Sequence, residues 1–102
     1  MKDLLNEETL KVYQQDVRSQ IKELKGRMQI IDASIKAVDA DRRIKYQENL
    51  NFLHSRVADV EERLVNLSAS TIDERYEIKT GIDHAMADLQ NAINGTVRHI
   101  EG

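Results

Sequence analysis

Between Tyr46 and Leu67, apolar side chains stand at Tyr46, Leu50, Leu53, Val57, Val60, Leu64 and Leu67, in alternating steps of four and three residues. That is the a/d repeat of a helix that buries one stripe along its whole length against other helices. The positions between are mostly polar, among them Gln47, Glu48, Asn49, Asp59, Glu61, Glu62 and Arg63. A chain organised around this stretch needs further helices to cover its seam.

Both flanking segments supply one. Upstream, the stripe reads Leu10, Tyr13, Val17, Ile21, Leu24, Met28, Ile31, Ile35 and Val38. One step of four, from Val17 to Ile21, stands where a strict heptad needs three, and such a slip locally unwinds a supercoil. Off-seam Val12 and Ile30 widen the apolar stripe, as a bundle helix requires. Downstream, the stripe starts at Ile72, loses regularity around Arg75 and Lys79, and resumes at Ile82, Met86, Leu89, Ile93, Val97 and Ile100. Arg75 and Lys79 occupy places where apolar residues are expected.

Capping signals separate the three stripes. Around Asp39-Ala40-Asp41 the pattern falters, and either aspartate can accept from the free N–H groups of a new helix. Thr71 and Glu74 have the spacing of a capping box, with Asp73 adding negative charge to the first turn. The expected helices cover residues 6–38, 41–68 and 72–100. Gly26 lies inside the first, where it costs about 1 kcal/mol against Ala.

Short connections make neighbouring helices antiparallel. The expected fold is therefore all-α: an elongated antiparallel three-helix bundle with coiled-coil-like packing, forming a single domain over 1–102. In size and in its plan of three long helices the chain resembles a spectrin repeat. It departs from that family in having no tryptophan, so the likeness is one of architecture. An extended alternative fuses the second and third helices through Leu64, Leu67, Thr71, Arg75, Ile78 and Ile82. That long hairpin would dimerise into a four-helix coiled coil.

Composition narrows the function classes. Lys+Arg is 15 and Asp+Glu 18, for a formal net charge of -3. Residues 1–50 carry ten basic and nine acidic side chains, the rest five and nine. Neither half has the basic excess that duplex binding needs. With no cysteine, a disulfide framework or thiolate metal site is out. The N-terminus lacks the apolar run of a signal peptide and no apolar stretch suits a membrane span, so a cytoplasmic protein is the expectation.

Motifs for chemistry are weak. The residues three before His54, His84 and His99 are Asn51, Gly81 and Thr96, so the Glu-x-x-His pairs of a di-metal bundle are missing. His84 and Asp88, one turn apart, offer two ligands at most. Carboxylate pairs such as Glu61-Glu62 are sequential and splay apart on a helix, whereas acid–base work needs convergence in a cleft. No phosphate loop or nucleophile elbow occurs. The expectation is thus a non-enzymatic structural or protein-interaction module, of scaffold, adaptor or assembly-chaperone type, that takes no cofactor and binds another protein or itself. Phe52, off the seam, and the basic turn Arg42-Arg43-Lys45 are the candidate partner contacts. The alternatives are a nucleic-acid-associated module working through that turn, and a weak metal-binding bundle.

Overall fold

A computed structural model describes residues 6–101, and the side chains of residues 6–99. It holds three helices: α1 (Glu7–Ile35), α2 (Ala40–Ser68) and α3 (Ile72–Glu101). The start of α1 and the helix ends at both turns have identifiable polar partners. The Asn6 side chain accepts the Thr9 N–H at 2.9 Å and starts α1. Of the two candidate aspartates, Asp39 caps α2, accepting the Arg42 N–H at 3.1 Å. α1 stops at Ile35, short of the expected 38, because the carbonyls of its end are taken locally. The Ala37 and Val38 N–H groups donate to Ser34 and Ile35 carbonyls at 3.1 and 3.2 Å. Arg43 folds back to donate to the carbonyls of Val38 at 3.0 Å and Lys36 at 3.4 Å. Neither turn needs Gly or Pro, since side chains satisfy the orphan backbone groups. At the second turn the Ser70 hydroxyl donates to the Leu67 carbonyl at 2.6 Å. There Glu74 accepts the Thr71 N–H at 3.0 Å, which is one arm of the expected capping box.

Cross-helix bonds give the topology. Tyr13 meets Asp83 and Arg27 meets Asn94, so α1 and α3 run parallel. Asn49 meets Thr96 and Tyr46 meets His99, so α2 runs against α3. The result is an up-down-up three-helix bundle with principal extents of 54 × 17 × 17 Å. α2 and α3 are separate helices, not the fused rod of the extended alternative.

The core is a single aliphatic column. It contains Leu10, Val17, Ile21, Leu24, Met28, Ile31 and Ile35 of α1, and Leu50, Leu53, Val57, Val60, Leu64 and Leu67 of α2. From α3 it takes Ile82, Met86, Leu89 and Ile93, with Tyr13, Tyr46, Ile78, Ala85, Ala92 and Val97 half-buried against it. α3 turns Ala85 and Ala92, and Gly81 under the Arg63 guanidinium, toward α2; the α2–α3 pairing is the most extensive of the three. Gly26 marks no close approach: a Cβ there would meet nothing within 4 Å.

Three seam expectations need correction where a polar residue takes the buried place. Gln14, 7 % exposed, sits on the α1 seam where Tyr13 was expected, and its amide donates to the Ser68 hydroxyl. The seam then runs 10, 14, 17, 21, 24, 28, 31, 35, an unbroken heptad, so the slip between Val17 and Ile21 does not exist. Tyr13 flanks it, with its hydroxyl on Asp83 at 2.6 Å and the Lys79 ammonium 4.9 Å from its ring centre. Ile72 is 71 % exposed; Arg75, one turn inward, is 8 % exposed and pairs with Glu7 at 2.7 Å. Glu7 opens α1, so no described residue of that helix stands at the level of Ile72. Near the other end of α3, Thr96 is 2 % exposed and occupies the seam, with Val97 half-buried beside it. Its hydroxyl donates to the Ala92 carbonyl at 2.9 Å and accepts the Asn49 amide at 2.7 Å. Val38 falls in the turn after α1, where it is half-buried. The expectation for Ile100 lies outside the described side chains.

Candidate functional site

Three surface depressions among the described residues are open grooves between neighbouring helices, and the heptad register decides what lines them. Between α1 and α2 the floor is the edge of the core, Ile21 and Leu64, beside Val65. Val65 is 65 % exposed. Arg18, Lys22 and Lys25 form the α1 rim, and Glu61 stands opposite. Lys25 bridges to Glu61 at 2.9 Å, with both side chains about half exposed, so the bridge is worth little in energy.

Between α2 and α3, at the height of Glu62, the groove is lined by Asp59, Glu62, Arg63, Glu77, Ile78 and Gly81. Arg63 is held by Asp59 at 3.0 Å along the same helix. The acidic side chains of this groove outnumber its cation.

The basic turn is divided by the fold. Arg43 is committed to the carbonyls that end α1. Arg42 and Lys45 instead line a cleft with Tyr46, Asn49 and His99, at the end of the rod where α2 begins. Tyr46 and Asn49 form its wall: the Tyr46 hydroxyl donates to the His99 carbonyl at 3.3 Å, and Asn49 holds Thr96. The sequence placed three cations in one turn, and only two of them share a surface.

Phe52 is 51 % exposed, with the Arg56 guanidinium 4.8 Å from its ring centre. A cation over an aromatic face covers part of the ring and leaves the other face to a partner. Phe52 is one of several exposed large apolar side chains among the described residues, with Val12, Ile30, Ile44, Val65, Ile72 and Tyr76.

Titration is perturbed at one cluster. Burial comes first in raising the Tyr13 phenol far above its ordinary value, helped by its bond to Asp83 and by the charges of Asp83 and Asp16. Burial pushes the Asp83 carboxyl up as well. Hydrogen bonds from Tyr13 and Lys79, with the charges of Lys79 and His84, together outweigh it, and the net shift is downward. The cluster ties α1 to α3 and lines none of the three grooves above. His84 and Asp88 are both exposed, and no group of three metal-ligating side chains occurs among the described residues. No described helix is long and apolar enough to cross a membrane.

The α1 rim and the acidic groove went unnoticed in the sequence. Their signal was the placement of charge on heptad positions flanking the seam, which means something only once neighbouring helices are known. No protein-family model, curated protein or solved structure matches the chain.

Proposed function

We propose that the chain is a non-enzymatic interaction module of scaffold, adaptor or assembly-chaperone type, whose grooves receive a helical segment of protein. The observation that carries this reading is the α1–α2 groove. There exposed Val65 lies over buried Ile21 and Leu64 at the edge of the core, between rims that carry charge. An open trough edged by an exposed apolar side chain takes the apolar face of a helix, whereas small ligands are held in concave pockets that bury most of their surface. The rod shape supports the same reading, because its helices leave open grooves between α1 and α2 and between α2 and α3.

The test is retention of a defined protein from an extract of the native host by immobilised chain. Val65→Asp should release that protein while its own melting temperature stays unchanged. Retention of nothing, or equal retention by the variant, would defeat the reading.

A second reading rests on Arg42 and Lys45, which share a cleft with His99. Two lysine or arginine contacts give weak, strongly salt-dependent binding to nucleic acid. Retardation of RNA or DNA at low salt that Arg42→Gln with Lys45→Gln abolishes would favour it over the first.

A further inference from the structure

The charge on this rod is segregated, although its net charge is only -3. Lys11, Arg18, Lys22 and Lys25 share the side of α1 turned to α2, and between Glu8 and Asp32 that side carries no carboxylate. One opposing carboxylate, Glu61, is engaged with Lys25. The neighbouring α2–α3 groove has the opposite sign, with Asp59, Glu62 and Glu77 against the single cation Arg63. The two grooves share α2 and lie at one height along the rod, since Glu61 belongs to the first and Glu62 to the second. Each also offers an apolar contact, Val65 in the basic groove and Ile78 in the acidic one.

We propose that the occupant of the basic α1–α2 groove is a second copy of this chain, docked through the stretch of its helices α2 and α3 that carries Asp59, Glu62 and Glu77. This deepens the interaction reading by naming the partner, and it rests on that reading. Opposite potentials on the two faces favour the encounter and fix which faces meet. The two patches differ, so the contact is heterologous. Repeated from copy to copy, it builds a ring if the rotation closes and a filament if it does not. Exposed charges at the rims are screened by salt, so the assembly weakens as ionic strength rises.

The experiment uses two reversal variants of the full chain. Arg18→Glu with Lys22→Glu makes both grooves acidic; Glu62→Lys with Glu77→Lys makes both basic. All four positions are exposed and outside the core, and helicity and melting check that both variants fold. By sedimentation velocity the wild type should self-associate at low salt and dissociate at high salt. Each variant alone should self-associate at least about tenfold more weakly. An equimolar mixture should associate again, because the acidic groove of one variant meets the basic groove of the other. A wild type that stays monomeric at low salt, or a mixture that fails to recover association, overturns the proposal. If the monomeric wild type still retains a host protein, the interaction reading survives and only the second-copy occupant is lost. If the wild type binds nucleic acid through Arg18 and Lys22 without self-associating, the groove belongs to a polyanion and the proposal also fails.

Discussion

Replacing Gln14 by Leu tests the register of α1, because the two ways of drawing its seam give opposite signs. Gln14 is 7 % exposed at a seam position whose neighbours along the stripe, Leu10 and Val17, are both buried. The Gln methylenes are already in the core, so Leu adds roughly two more buried methyl groups, worth about 1.5 kcal/mol at about 0.8 kcal/mol per group. The change deletes one neutral hydrogen bond, to Ser68, worth about 1 kcal/mol. Ser68 is exposed and still donates to the Leu64 carbonyl at 3.3 Å, so it carries no burial penalty afterwards. Relief of the amide's own desolvation adds to the gain. The expected net is a stabilisation of about 1 kcal/mol, or a rise of roughly 4–8 °C in Tm for a domain of this size. Tyr13→Leu is the control: it loses the Asp83 bond and the contact with Lys79 and should destabilise. Thermal and urea melts followed by circular dichroism measure both. A destabilised Gln14→Leu paired with a stabilised Tyr13→Leu would restore Tyr13 to the seam, with its slip, and refute the unbroken heptad.

Gly26→Ala should stabilise by about 1 kcal/mol, since the new Cβ meets nothing within 4 Å and Ala is the better helix former; a loss in the same melt would mean that a neighbour approaches there. Leu53→Ala, at a fully buried site in the middle of α2, should cost about 2–5 kcal/mol, and a change under about 1 kcal/mol would show the site is not core. The Asp83 carboxyl has a lowered pKa in the folded chain, so its contribution exists above its unfolded value and disappears as pH falls through the folded one. The advantage of wild type over Asp83→Asn in Tm should therefore be present at neutral pH, shrink below about pH 4, and be small throughout because the side chain is 48 % exposed. An advantage that grows on acidification would contradict the downward shift.

Helix content, the seam of α2 and the two breaks were legible in the chain alone because their causes are local. A repeat of four and three specifies which face of a helix is apolar, whatever covers it. Asp39 and Glu74 act on backbone groups within three residues of themselves. What the chain could not show is which of two neighbouring residues enters the core at Tyr13 or Gln14, Ile72 or Arg75, and Val97 or Thr96. In each case sequence pattern favours the apolar residue, while the structure buries the polar one. A polar side chain is tolerated inside only where a partner meets it. Here the partners are Ser68, Glu7 and Asn49, separated from them in sequence by 54, 68 and 47 residues. The same holds for the candidate surfaces. Lys22 and Glu62 are ordinary exposed charges on their own helices, and they become the rims of opposite grooves only through the packing of all three. Local periodicity therefore sufficed to set the three helices, whereas the polar layers and the charge pattern of the grooves depend on contacts between residues far apart in the chain.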